Sequence, residues 1–231
     1  TCLGLIEANT DFEAVAIEGL SSEEPADTDA AAAEIADVVL YYGGVTFSET
    51  EREEMLQLKH SSAYAGTPIT ASFLTKTITK FATHNATRTS QFGADSVRTK
   101  IAFGFITNRP AADSLIAALL LLQKGEVSAD RHVEGQRIDL KKAADHAGCK
   151  TEEFFSRFEL HAGTSGLFAQ KLALRRTVAT WSGFNDLYGR LRLHDVRQLV
   201  RDKAGPEGEK NNLIRRTDVL DALGVDMDDL L

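Results

Sequence analysis

Cysteine is nearly missing from this chain: Cys2 and Cys149 are the only two in 231 residues. Two thiols cannot build a disulfide framework, which predicts a reducing, cytoplasmic setting with both as apolar fillers. Long hydrophobic runs are missing too. The longest, from Leu115 to Leu122, falls far short of the roughly 20 residues of a membrane span and fits a buried helix. No basic segment leads into an apolar stretch at the start, so no signal peptide is read. The six histidines lack H-x₃-H spacing, which argues against zinc. There is no G-x-x-x-x-G-K-[ST], so no ATP site is expected, and Thr164-Ser165-Gly166 lacks the frame of a nucleophile elbow. The chain opens on Thr and reads as a piece cut from a longer protein.

Positive charge is scarce at one end only. Residues 1–60 hold 14 acidic and 2 basic side chains, net −12, whereas residues 61–231 hold 20 and 24, net +4. Within 171–216 the balance is 11 basic to 5 acidic. The total of −8 therefore hides an acidic pole and a basic lobe, a distribution that suits a metal site and a phosphate-binding surface. Solvated helix faces would give the same count. Apolar residues make up 43% and charged residues 26%, ordinary for a globular fold with a real core. The length allows one domain with a helical appendage or two small domains.

Periodicity predicts strands at Phe12–Gly19, Ile35–Tyr42 and Glu54–His60, with an acidic and Ala-rich loop between the first two. Helices are predicted over Pro68–Phe81, Ala111–Gln123 and Ile138–Ala147, the last stopped by Gly148. The I-A-F-G-F-I stretch before Thr107 reads as a strand, and Phe155–Leu160 as another. From Gly166 onward three helices are expected, at 166–181, 185–203 and 215–223, broken at Gly205-Pro206. The fold class is α/β: a mixed β-sheet core flanked by helices, spanning 1–163, with a helical C-terminal part over 164–231.

Asp37 stands in an otherwise apolar segment, and twenty residues later Gln57 and Lys59 share one strand face. A lysine in the setting Met55-Leu56-Gln57-Leu58-Lys59 is costly if buried without a partner. Phosphodiester cleavage wants such parts: oxygen ligands for a hard cation, and a cation beside the phosphate. A structural Asp–Lys pair, or a lysine facing solvent, accounts for the spacing equally well. His60 points away from Lys59 by alternation and reads as a core or hydrogen-bonded histidine. Trp181, Phe184 and Tyr188 read as a helix core face.

Four segments in order carry a resemblance: Ile17-Glu18-Gly19, Ala36-Asp37-Val38-Val39, Gln57-Leu58-Lys59-His60 and Thr107-Asn108-Arg109-Pro110. Over about residues 12–110 the chain resembles PD-(D/E)xK nucleases. More narrowly, it resembles the double-strand DNA endonuclease domain at the N-terminus of bacterial anti-phage effectors, in a Q-x-K variant. The resemblance implies a restriction-endonuclease-like fold and a Mg²⁺-dependent (or Mn²⁺-dependent) endodeoxyribonuclease. It implies Asp37, Gln57 and Lys59 as catalytic residues. Asp37, Gln57, the Leu58 carbonyl and Glu18 are implied as metal ligands, with Glu7 a weaker candidate. Asn108 and Arg109 are candidate phosphate contacts. Expected partners are double-stranded DNA, the rest of its own chain (a sensor or NTPase module) and further copies in an active homo-oligomer, with no membrane. Gln57, a neutral amide where the family pattern has an acid, keeps open a degenerate docking or assembly module. RNA as substrate is a third option.

Overall fold

The segment expected as the first strand buries Ala14, Val15, Ala16 and Ile17 in succession, so both of its faces are covered. In the computed structural model, which describes residues 4–5, 11–24, 35–145, 150–182, 186–205 and 211–225, this segment is β1 (Phe12–Ile17). Among the described residues, six strands of a mixed sheet and eight helices make the expected α/β fold. The chain divides into two compact units: residues 1–53 with 165–231, and residues 54–164. The strand β3 (Arg52–Lys59) carries the chain from the first to the second.

In the first unit β1 is the middle strand. It runs antiparallel to β2 (Val38–Tyr42), with Ile17 opposite Val38 and Val15 opposite Leu40. On its other side it runs antiparallel to β6 (Leu213–Arg215), with Val15 opposite Ile214. The helices α6 (Leu167–Ser182), α7 (Asp186–Ala204) and α8 (Arg216–Leu223) complete this unit. Val178, Leu193, Val196, Val219, Leu220 and Leu223 are among their buried residues. The C-terminal part is thus not wholly helical, because β6 joins the sheet. Residues 165–231 group with residues 1–53 in one compact unit. Three residues are too few for a readable period, and the partner of β6 lies about 200 positions away in sequence.

The second unit packs α1 (Ala71–Phe92), α2 (Ala94–Lys100), α3 (Asp113–Lys124), α4 (Arg131–Ala144) and α5 (Thr151–Phe155) with β4 (Ile101–Thr107) and β5 (Phe158–His161). β4 and β5 are parallel, with Phe103 opposite Phe158. Its core is aromatic. Phe103 stacks on Phe81 at 4.9 Å and lies 5.1 Å from Phe154, which meets Phe155 edge-on at 5.1 Å. Gly104 is needed inside β4, since a Cβ there would fall 2.5 Å from Leu56 Cδ2.

Two helices run longer than periodicity predicts. α1 continues eleven residues past Phe81 to Phe92, through a Thr-, Asn- and Ser-rich stretch of poor propensity. Thr83 and Thr87 fold their hydroxyls back onto the Thr79 and Thr83 carbonyls, and the buried His84, Asn85 and Arg88 show that packing extends it. α4 starts at Arg131 because the Asp130 carboxylate accepts from the His132 and Val133 amides, an N-cap. Its expected stop at Gly148 lies outside the described residues, as do both cysteines and most of the loop between β1 and β2. No described helix is long and apolar enough to cross a membrane.

Candidate functional site

In the first unit the ladder between β1 and β2 ends where the candidate acids stand. Asp37 is not inside a strand, as expected, but immediately before β2. Glu18 follows the last residue of β1, and its backbone N–H donates to the Asp37 carbonyl at 2.9 Å. Two carboxylate-bearing residues are thereby held on neighbouring chain segments, which in a sheet lie about 5 Å apart. Glu18 is exposed and Asp37 half-buried.

Glu18 has φ of +56°, the one described non-glycine residue in the left-handed region. Such a conformation costs an L-residue roughly 1–2 kcal/mol and persists only when the surroundings impose it. Here they do. The Asn212 side-chain amide donates to the Ile17 and Leu20 carbonyls at 3.0 and 2.8 Å, and its oxygen accepts from the Ser22 N–H at 3.0 Å. The Ile17 N–H in turn donates to the Asn212 carbonyl at 3.1 Å. The buried Tyr41 hydroxyl accepts from the Ser21 N–H at 2.9 Å, and Arg215 pairs with Glu23 at 2.6 Å. Asn212 and Tyr41 position the turn that carries Glu18. Asn212 could not be found by local pattern, because its partners are about 190 residues distant.

In the second unit Gln57 is buried, whereas Leu58 and Lys59 are exposed at the end of β3. The expectation that Lys59 sits in an apolar setting is therefore corrected. Water hydrates its ammonium, and no desolvation argument singles it out. His60 is exposed as well, not a core histidine.

Asn108 and Arg109 were candidate phosphate contacts, but both are engaged in holding chain. The Asn108 amide accepts from the Ser61 N–H at 2.9 Å and donates to the Ser61 carbonyl at 2.8 Å, fixing the segment that leaves β3. Arg109 donates to the Thr67 and Pro68 carbonyls at 2.9 and 3.3 Å and covers the Phe73 ring at 4.7 Å. The Arg109 carbonyl accepts from the Gly163 N–H at 2.7 Å.

Glu18 and Asp37 offer carboxylate oxygens, Gln57 an amide oxygen and Leu58 a main-chain carbonyl. Each of these oxygen donors suits a hard cation such as Mg²⁺ rather than a soft one. Among the described residues no three His, Cys, Asp or Glu side chains group as a metal site. A cation at Glu18 and Asp37 would thus rest on two acids. Glu7 and the side chains of Trp181, Phe184 and Tyr188 lie outside the described residues. No protein-family model matches the chain, and no curated protein matches it either.

Proposed function

We propose that the chain is a Mg²⁺-dependent endonuclease domain that cleaves double-stranded DNA. In this reading it is the effector part of a cytoplasmic bacterial anti-phage protein of the PD-(D/E)xK type. The observation that carries the reading is the paired placement of Glu18 and Asp37. A strained backbone at Glu18, held by Asn212 and Tyr41, sets one carboxylate-bearing residue beside another at the end of the β1–β2 ladder. Strain of this kind collects at functional positions. Glu18 and Asp37 would hold the cation. When bound, it supplies a water of lowered pKa and offsets charge on the phosphate. The exposed Lys59 ammonium presents a point charge to the phosphate oxygens as water attacks phosphorus and the bond to the leaving sugar oxygen breaks. Such an activity needs a trigger, which further copies of the chain and a sensor or NTPase module of the same protein would provide.

The neutral, buried Gln57 favours a second reading, a nuclease-like module that docks or assembles without cutting. Plasmid cleavage with Mg²⁺ separates the two, comparing the protein with its Asp37→Ala and Lys59→Ala variants under activating conditions. The nuclease reading expects each variant to cut at least about 100-fold more slowly. Equal cutting by all three overturns it. No Mg²⁺ or Mn²⁺ uptake in calorimetry, with no cutting, selects the docking module.

A further inference from the structure

Arg190, His194, Arg197 and Arg201 stand at i, i+4, i+7 and i+11 of α7, so a single stripe of the helix carries all four. Gly189, Leu193 and Val196, one position earlier in each turn, are buried. α7 packs against α6 and α8. At Gly189 the helices come close: a Cβ there would lie 3.5 Å from Ala179 Cβ and 3.7 Å from the Arg175 carbonyl. Consecutive residues turn by about 100° around a helix, which puts the basic stripe on the flank of a firmly packed face. Arg190, His194 and Arg201 are exposed, and Arg197 is half-exposed.

Two acids of the same helix, Asp195 and Asp202, are occupied elsewhere. Asp195 pairs with Arg192 at 3.6 Å, and Asp202 accepts from the Gln198 amide at 2.7 Å. Among the described residues Arg197 and Arg201 have no ion pair or hydrogen bond of their side chains. By contrast Arg98, Lys150 and Arg215 hold Asp95, Glu153 and Glu23. Two cations without acids, in line with a third arginine and a histidine, leave positive charge for a ligand from outside.

We propose that this stripe of α7 grips the sugar-phosphate backbone of duplex DNA. The identity of the polyanion rests on the nuclease reading above; the stripe itself does not use the candidate acids or Lys59. Eleven residues of helix span about 16 Å, and one strand of a duplex passes a phosphate about every 3.4 Å of axis. The stripe is therefore long enough to meet more than one phosphate of a strand. Guanidinium groups match phosphate oxygens two at a time, and a row of cations with no apolar residue in it lacks the anchor a peptide partner needs. Such contacts fix register and carry no sequence information.

Anisotropy of a short labelled DNA duplex, with EDTA to hold cleavage off, tests this across a potassium chloride series. Substituting Arg190→Gln, Arg197→Gln and Arg201→Gln together is expected to weaken binding at low salt at least roughly 10-fold. The slope of log K against log salt should flatten by about 0.9 per arginine, about 2.7 in all. The corresponding Arg→Lys variant retains most of the slope. Lys141→Gln with Lys142→Gln, on the exposed face of α4, leaves it unchanged. Circular dichroism confirms that each variant is folded. An unchanged slope in the Gln variant, or the same flattening in the α4 control, overturns the stripe. Preference for a duplex RNA of the same sequence overturns the DNA assignment. Failure of the nuclease reading shows separately, as a chain that binds duplex with the full slope in EDTA yet never cuts it when Mg²⁺ is supplied.

Discussion

The two units use their polar side chains differently. In residues 54–164 the arginines and asparagines brace the chain. Arg157 donates to the Val97, Ile101 and Glu153 carbonyls and to the Asn85 side chain. Asn108 and Arg109 tie down the segments around Ser61 and Thr67. In the other unit an asparagine and a tyrosine hold a strained turn, while Arg197 and Arg201 of α7 have no such duty among the described residues. The difference teaches that a charged residue in a motif is to be judged by what it already holds. Arg109 looked like a phosphate ligand and acts as a brace, whereas Arg197 and Arg201 belonged to no motif and have capacity to spare.

The core of the second unit supplies the largest expected effect. Eight of the twelve phenylalanines lie in residues 54–164, and Phe154 touches Phe103, Phe155 and Phe158. Phe154→Ala should cost about 3–5 kcal/mol in urea unfolding. Hydrogen exchange would show whether amides of β1 and β2 lose protection with those of β4. Equal loss in both units would erase the contrast between their cores; loss confined to β4 and its helices would sharpen it.

Much of this contrast was legible in the sequence. The strands β1, β2 and β3, the glycine-bearing β4 and the helix through Leu115–Leu122 follow from period and apolar content alone. What escaped was set by distant partners. The extension of α1 rests on packing that overrides poor propensity, and β6 exists because β1 lies ready to pair with it. Asp37 and Glu18 were visible as residue types. Their hydrogen-bonded placement was not, because it depends on register and on a left-handed turn that Asn212 stabilises from the far end of the chain.

An intermediate effect comes from acid. His84 of α1 is buried, and its Nε2 has no hydrogen-bond partner among the described residues. Burial first, and the neighbouring Arg88 charge second, lower its pKa from 6.5 to about 3. The folded state therefore holds His84 neutral while the unfolded chain protonates it below about 6.5. Its contribution is fully present above that pH and is lost as pH falls toward 3, at up to roughly 1.4 kcal/mol per pH unit. Urea midpoints of the protein and of His84→Gln, taken at pH 7, 6 and 5, should converge as the pH drops. Parallel midpoints would show that His84 does not set the acid sensitivity of this unit.

The smallest expected effect lies in the first unit and bears on whether its strain serves a site. Glu18→Gly removes the left-handed penalty of roughly 1–2 kcal/mol and adds chain entropy to the unfolded state, about 0.5–1 kcal/mol. The net is a gain of up to about 1.5 kcal/mol in unfolding free energy. The same change removes one of two carboxylates and should weaken Mg²⁺ uptake in calorimetry. Glu18→Gln keeps the strain and removes only the charge, so it should weaken uptake with no gain in stability. If Glu18→Gly is more stable and binds metal as before, the strain is a property of the turn that Asn212 and Tyr41 impose, and Asp37 must find its second acid elsewhere. If stability rises while uptake falls, with Glu18→Gln matching only the second effect, the backbone at Glu18 is held under strain to present its carboxylate.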